Sequence, residues 1–190
     1  MLLTLWRELE LPLKKEPFFI ERDEEKRKKF DLELAGISAE TDICYVDECG
    51  ISKHMSREYG RSLKGKRVYL PCSGRKFKRL NIVAGLIGKR VVSPTKYAWN
   101  TNSDWFKVWF EWHLCPNLKQ GTVIIMDNAS FHSKPKLKKI AEFYNCRIIF
   151  LPPYSPDKNS IEKTWANLKN WLRLHSKDYA TIQEAVEAYF

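Results

Sequence analysis

The stretch GTVIIMDNASFH, residues 121–132, places a short apolar run directly before a carboxylate. Val123 to Met126 are four apolar residues in succession, a pattern typical of a strand buried on both faces of a sheet. Asp127 ends this predicted strand, and Asn128 and His132 follow closely. Since function in open α/β sheets collects at the carboxyl ends of the strands, this pattern predicts a functional side chain held at a sheet edge.

Further strands and helices surround this stretch. DICYVDECG, residues 42–50, alternates as a strand that ends at Gly50, two runs around Gly88 and Lys89 predict a β-hairpin, and CRIIFL, residues 146–151, predicts a last strand. The predicted helices are residues 21–34 before Gly36, one capped by Ser103 or Asp104, about 135–145, one capped by Asn159, and 181–190. Antiparallel strands followed by βαβα units predict an α/β fold, a mixed five-stranded sheet flanked by helices.

Composition limits the class of protein. The chain has 190 residues and 44% hydrophobic residues, enough for one packed domain with an appendage. We expect a linker and an exposed helix over residues 1–38 and the main domain over residues 39–190. No apolar stretch approaches the roughly 20 residues that cross a bilayer, and the five cysteines are scattered without metal spacing. These features predict a cytoplasmic protein with reduced thiols and no membrane partner.

Positive charge is concentrated in an insertion after the first strand. Residues 50–79 contain ten basic residues and one acid, within a chain of net charge +10. A solvated surface explains such a run, but interleaved aromatic residues are also what a loop that follows a nucleic-acid backbone needs. The candidate DNA contacts here are Arg57, Arg61, Lys64, Lys66, Arg67, Arg75 and Lys76.

Asp47 and Asp127 would emerge at the same sheet edge if their strands are parallel neighbours. Two bare carboxylates there would repel, and one would take up a proton unless a cation separated them. Magnesium prefers carboxylate oxygens and keeps positions for substrate phosphates. Glu162, beside the core stripe of the helix after the proline turn, is the candidate third ligand, and Lys169 and Arg173 on the same helical line are candidate DNA contacts.

Three segments carry a family resemblance. YVDECGISKHMSREYGRSLKGKR, VIIMDNASFH and LPPYSPDKNSIEKTWANLK resemble the catalytic domain of mariner superfamily DDE transposases, in the bacterial insertion-sequence branch called the IS-six-thirty group. The resemblance implies a ribonuclease-H-like fold and a catalytic, metal-binding triad of Asp47, Asp127 and Glu162. Lys158 and Ser160 depart from the family pattern, which has leucine and proline there.

The same resemblance implies a function. It is cut-and-paste DNA transposition, with two Mg²⁺ ions, for which Mn²⁺ substitutes, acting in DNA cleavage and strand transfer. The implied partners are transposon ends and TA-containing target DNA, bound by a homodimer, in a bacterial cytoplasm at the nucleoid.

Four other residues are auxiliary candidates near the triad. Asn128, His132, Asp157 and Asn159 could assist the metal site, although capping the long helix is the duty we expect of Asn159. Glu48 should point to the opposite face from its neighbour Asp47. Trp99, Trp105, Trp109 and Trp112 fall at strand and helix spacings and are interpreted as core residues.

Residues 1–46 contain no compact helix-turn-helix pattern of the kind that relatives carry upstream. We therefore expect a separated catalytic half, with sequence specificity supplied by a separate upstream helix-turn-helix product. The alternative is a non-catalytic DNA-binding remnant of a split or decayed transposase.

Overall fold

The computed structural model describes residues 20–51, 69, 79–129 and 133–190. The helices are α1 (Glu24–Ala35), α2 (Ser103–Trp109), α3 (Lys134–Phe143), α4 (Ile161–His175) and α5 (Ile182–Tyr189). The strands are β1 (Ile43–Ile51), β2 (Leu80–Ile87), β3 (Arg90–Tyr97), β4 (Val123–Met126) and β5 (Arg147–Phe150). Short helical turns follow α2 at Phe110–Leu114 and Cys115–Asn117, precede α4 at Pro156–Lys158, and follow it at Ser176–Asp178.

The five strands form one mixed sheet in the order β3-β2-β1-β4-β5. β1, β4 and β5 run parallel, whereas β1–β2 and β2–β3 pair antiparallel. The β2–β3 connection is a tight turn at Gly88 and Lys89, and Gly88 has a φ of 59°, which glycine adopts without steric cost. The predicted five-stranded α/β architecture and its hairpin are therefore confirmed.

β4 lies near the centre of this sheet, and all four of its residues are buried. Ile124 and Met126 belong to a core on one face that includes Phe106 and Trp109 of α2, whereas Ile125 packs on the other face. The apolar run is thus covered on both faces, as its continuous hydrophobic pattern predicts.

The first strand is longer than its sequence pattern predicted. β1 continues past Gly50 to Ile51, and its final ladder pair joins Ile51 to Leu80 of β2. Asp47 therefore lies in the middle of a strand rather than near its end. The prediction stopped too early because Gly50 was interpreted as a strand breaker, although β2 pairs with it.

The aromatic helix is less buried than predicted. Trp109 is 1% exposed, but Trp112 is 67% exposed and Trp99 is 54% exposed, so assigning these two to the core was wrong. Helical periodicity fails after Trp109 because the chain continues as a π-helical turn at Phe110–Leu114, which changes the angular spacing of the side chains. Asn102, rather than Ser103 or Asp104, caps α2, and its side chain accepts the Trp105 N–H.

Helix α1 begins three residues later than predicted and ends at Ala35, with Gly36 as its C-cap. Most of its surface is exposed, but Arg27 and Phe30 are buried. Phe30 packs in an apolar cluster with β4 and β5 residues, so α1 is docked on the sheet. The boundary at residue 38 stays a prediction. No helix among the described residues is long and apolar enough to cross a membrane.

Candidate active site

Asp47 and Asp127 are brought together by strand register. The last parallel pair between β1 and β4 joins Val46 to Met126, and the two aspartates are the next residue on each strand. Neighbouring strands lie about 4.8 Å apart, so the two backbones deliver these acids side by side. The prediction that β1 and β4 are parallel neighbours is confirmed, although Asp127 lies one residue beyond β4 rather than within it.

Glu162 lies in the first turn of α4 and lines the same cavity as the two aspartates. This cavity has a volume of about 380 Å³. Its remaining wall comes largely from the chain between β5 and α4. The lining residues are Asp47, Asp127, Asn128, Ala129, Leu151, Pro152, Pro153, Tyr154, Ser155, Pro156, Asn159 and Glu162. Three acids distant along the sequence therefore face one concave space.

Asp47 has the most perturbed carboxyl group of the three. Burial, together with the smaller effect of the negative charges of Glu162 and Asp127, raises its pKa to about 7. The indole N–H of Trp165 opposes this shift by donating to Asp47 Oδ2 at 3.2 Å. The site is therefore a field of negative charge in which a partly buried carboxyl group resists ionisation.

The other two acids are solvent exposed. The Asp127 carboxylate accepts the Ala129 N–H at 3.3 Å, a local turn contact. Among the described residues, no three His, Cys, Asp or Glu side chains lie close enough together to hold one metal ion. The acids thus share a cavity and an electrostatic field, and their oxygen atoms do not form a closed ligand shell.

Glu48 lies on the opposite face of β1, as predicted. Its Oε2 accepts hydrogen bonds from Tyr97 at 3.2 Å and from Thr101 at 2.7 Å. Its Oε1 is buried without a hydrogen-bond partner among the described residues. Strand alternation therefore separates two adjacent acids, one towards Trp165 of α4 and the other towards Tyr97 of β3.

Of the auxiliary candidates, Asn128 and Asn159 line the cavity. Asn159 is 5% exposed, and its Oδ1 has no hydrogen-bond partner among the described residues. Its predicted capping role was wrong, because Ser160 is the N-cap residue of α4. The backbone of Asn159 contributes instead, since its carbonyl accepts the Glu162 N–H at 3.1 Å. His132 lies outside the described residues.

Asp157 does not line the cavity. The expectation that its side chain assists the metal site is therefore corrected by its contacts. Arg27 binds it through two hydrogen bonds, Nη1 to Oδ1 at 3.0 Å and Nη2 to Oδ2 at 2.8 Å. Arg22 donates to Oδ1 as well, at 2.9 Å. The Arg27 hydrogen bonds hold the pKa of Asp157 below its ordinary value. Both carboxylate oxygens are thus occupied by α1 and the residues before it.

Two of the predicted DNA contacts lie on α4. Lys169 is partly buried beside the Cys49 thiol, and Arg173 is exposed and donates to Asn170 Oδ1 at 2.7 Å. The basic candidates in the insertion lie outside the described residues: Arg57, Arg61, Lys64, Lys66, Arg67, Arg75 and Lys76. The DNA-binding role of all nine residues stays a prediction.

Sequence reasoning missed two sets of contacts around the site. Trp165 was identified only as a core residue, although it also orients Asp47, and its position three residues after Glu162 was the available signal. Arg27 and Asp31 of α1 were not connected to the site at all. Nothing in the local pattern links them to Asp157 and Lys158, which lie more than 120 residues away in the chain.

Comparisons with known proteins come from sequence and from structure. A family model described as DDE superfamily endonuclease matches residues 42–184. A segment of 62 residues, 32% of this chain, is 42% identical to 44% of the uncharacterized protein y4pE/y4sA of Sinorhizobium fredii. The chain therefore spans less than half the length of that relative.

The fold is similar to that of Mos1 transposase. The Mos1 paired-end complex with the left transposon end has a TM-score of 0.68 and 15% identity, over 99% of this chain and 60% of that chain. The Mos1 mariner paired end complex with Mn has the same TM-score and 14% identity, again over 99% and 60%. At such identity the likeness establishes the fold, a mixed sheet flanked by helices as in the ribonuclease-H-like catalytic fold of Mos1.

Proposed function

Since the chain belongs to the DDE superfamily endonuclease family, we propose that it is the catalytic part of a transposase. Asp47, Asp127 and Glu162 are the proposed catalytic triad for DNA cleavage and strand transfer. One observation carries this proposal: strand register sets the two aspartates side by side, and Glu162 faces the same cavity. The assignment to the bacterial mariner branch, in a nucleoid-associated cytoplasmic setting, is part of the proposal and comes from the three sequence motifs.

The residues of the site fit divalent cations by their chemistry. They supply carboxylate oxygens, which Mg²⁺ and Mn²⁺ prefer, and the raised pKa of Asp47 reflects burial first and then the negative charge of its neighbours, which a cation would neutralise. Two such ions, when bound, would activate a nucleophilic oxygen and stabilise the leaving oxygen at a phosphate. Structures of Mos1 described as complexes with Mn and with Mg support this choice of ions.

Each acid has a separate source of orientation. Asp47 is fixed by the sheet and by the Trp165 N–H, and Asp127 by the end of β4 and the Ala129 N–H. Glu162 is placed by the first turn of α4, and Asn159 offers a buried amide oxygen in the same cavity. No side chain needs to bond covalently to DNA, because water serves as the nucleophile in cleavage and a freed 3′-hydroxyl serves in joining.

DNA is the proposed partner, as transposon ends and as a TA-containing target. The Mos1 structures are described as complexes with a transposon end and as a strand transfer complex, which supports this choice. Lys169 and Arg173 follow Glu162 on α4 and are proposed to contact the DNA backbone, together with the basic insertion. We further propose a homodimer on DNA.

A nicking assay on supercoiled plasmid DNA tests the proposed chemistry. With Mg²⁺ or Mn²⁺ present, Asp127→Asn should lower the cleavage rate by at least about 10³-fold, the scale expected on removing an essential catalytic group. Asp104→Asn makes the same chemical change at an exposed position of α2 and should cleave normally.

Equal cleavage by wild type and Asp127→Asn would discard the assigned triad. Salt-dependent DNA binding without cleavage by the wild-type chain would instead favour the non-catalytic remnant.

A further inference from the structure

The turn that leads to Glu162 has little stabilisation of its own. Residues Pro156–Lys158 form one short helical turn after the proline-rich segment, and the backbone bonds within it are local. Ser155 and Ser160, at the starts of this turn and of α4, make no side-chain capping bond within the described chain. Helix starts are ordinarily fixed by such caps, so the direction in which α4 begins depends on the packing of Ile161 and Trp165 and on contacts to the preceding turn.

Helix α1 and Arg22, two residues before it, supply those contacts to Asp157. Arg27 donates hydrogen bonds to both carboxylate oxygens of Asp157, at 3.0 and 2.8 Å, and Arg22 donates a third at 2.9 Å. Arg27 is 8% exposed, so its paired guanidinium is largely shielded from water. A two-bond pair of this kind fixes orientation as well as distance.

A second contact lies one residue further along the turn. Lys158 Nζ donates to both oxygens of Asp31, at 2.7 and 2.8 Å. Lys158 stands where the resembling family has leucine, and the acid that matches its charge comes from α1. Lys158, which departs from the family pattern, thus forms an ion pair with Asp31 of the same chain.

α1 is itself fixed to the strand that precedes Asp127. Phe30 is 4% exposed and packs in one apolar cluster with Val123 and Ile125 of β4 and with Leu151. One face of the helix therefore contacts the sheet, and its charged side chains reach the turn before Glu162. α1 connects the two parts of the candidate site that carry Asp127 and Glu162.

We propose that α1 is a positioning element for Glu162 and Asn159, acting through Arg27–Asp157 and Asp31–Lys158. Its effect on catalysis rests on the proposed transposase function, but its effect on the geometry of the turn does not. Arg27, Asp31, Asp157 and Lys158 are positioning residues, since they lie outside the cavity and contact the segment that leads to Glu162.

Hydrogen exchange in the full chain tests the geometry. Reversing one charge, in Lys158→Asp or in Asp31→Lys, should raise exchange at the amides of residues 159–162 about tenfold, while β1 and β4 stay protected. The double variant restores opposite charges with their positions exchanged, and it should return exchange to within about twofold of wild type. Lys28→Asp makes the same charge change at an exposed position of α1 and should leave the turn unchanged.

Two further measurements separate positioning from general destabilisation. Lys158→Met keeps the side-chain length without repulsion and should raise the same exchange about threefold even if Lys158→Asp fails to fold. In plasmid nicking, each single reversal should lower kcat about tenfold with KM for DNA unchanged, and the double variant should recover kcat.

Wild-type exchange at residues 159–162 in Lys158→Asp, Asp31→Lys and Lys158→Met would overturn the inference. The expected exchange pattern in a chain that does not cleave DNA would uphold positioning by α1 and overturn the proposed function alone.

Discussion

The β1–β4 edge and the turn at Pro156–Lys158 both place residues at the candidate active site, but different forces hold them. Asp47 and Asp127 are placed by backbone register between strands whose side chains are buried on both faces. The turn before Glu162 is held by ion pairs with a helix more than 120 residues earlier in the chain. The packing of apolar side chains does not titrate, whereas partly exposed ion pairs respond to both pH and salt. One half of the site should therefore be rigid and the other adjustable.

The largest effect is expected when apolar packing is removed at the β1–β4 edge, the rigid half of the site. Ile124 is fully buried in β4, so Ile124→Ala should lower the free energy of unfolding by about 3–5 kcal/mol through lost burial and a residual cavity. Urea denaturation followed by circular dichroism measures this. Leu174 on α4 is 49% exposed, and Leu174→Ala, with a similar loss of volume, should cost under about 0.5 kcal/mol. Similar losses of unfolding free energy at both positions would contradict the view that buried packing around β4 holds this half of the site.

The next test concerns how far the ionised Asp47 carboxylate lowers the free energy of unfolding in metal-free protein. Its pKa is raised from 3.8 to about 7, so the folded state binds more protons than the unfolded state in this interval. Its contribution is fully favourable below about pH 4 and is lost as pH rises through about 7. In EDTA at pH 8, Asp47→Asn should therefore be more stable than wild type by about 2–4 kcal/mol, at about 1.4 kcal/mol per pKa unit.

The difference between these two proteins should shrink to about 0.5 kcal/mol at pH 4, where Asp47 is protonated in the folded wild-type chain and nearly half protonated in the unfolded chain. Urea denaturation at pH 4 and pH 8 measures both. An unchanged stability difference across this range would show that the Asp47 carboxyl group does not titrate as described.

A smaller effect is expected at the adjustable half. Asp157 has a lowered pKa because Arg27 hydrogen bonds to its carboxylate, so it stabilises the fold above about pH 4. This contribution is lost as pH falls through the lowered pKa of the folded state. At pH 7, Asp157→Asn should lower stability by about 1 kcal/mol, since Asp157 is half exposed. Thermal unfolding at pH 7 and pH 2.5 measures this, with Glu40→Gln as an exposed control.

The smallest effect belongs to Asp31 and Lys158. A double-mutant cycle with Asp31→Asn and Lys158→Met should give a coupling of about 0.2–1 kcal/mol in low salt, because both side chains are partly exposed. The coupling should shrink at about 1 M salt, where the screening length is about 3 Å. A coupling energy larger than the stability loss of Ile124→Ala, or one that does not fall with salt, would contradict the contrast between the two halves of the site.

Sequence alone predicted the half of the site that local patterns encode. Alternation in β1 and the apolar run of β4 identified the strands, and Asp47 within the first strand and Asp127 directly after the second were identified as candidate acids. The core stripe of α4 located Glu162 at its margin. The strand and helix predictions were confirmed because burial on a strand or helix leaves a period in the sequence, whereas the catalytic role of these acids stays a prediction.

The remaining features depended on contacts that leave no period. Asp157 was placed near the metal because it lies close to Glu162 in sequence, but two arginines from the other end of the chain bind it. Asn159 was expected as a cap, yet Ser160 is the N-cap residue of α4. Trp112 was assigned to the core because a π-helical turn cannot be inferred from apolar spacing.

The ladder pair of Ile51 and Leu80 has a consequence for how this protein can diverge. The basic insertion leaves and rejoins the sheet at two positions about one strand spacing apart. A chain excursion with neighbouring ends can double in length for about 0.6 kcal/mol of closure entropy. The excursion can thus be lengthened, shortened or exchanged for another without shifting the aspartates, so the insertion and the sheet edge can change independently of one another.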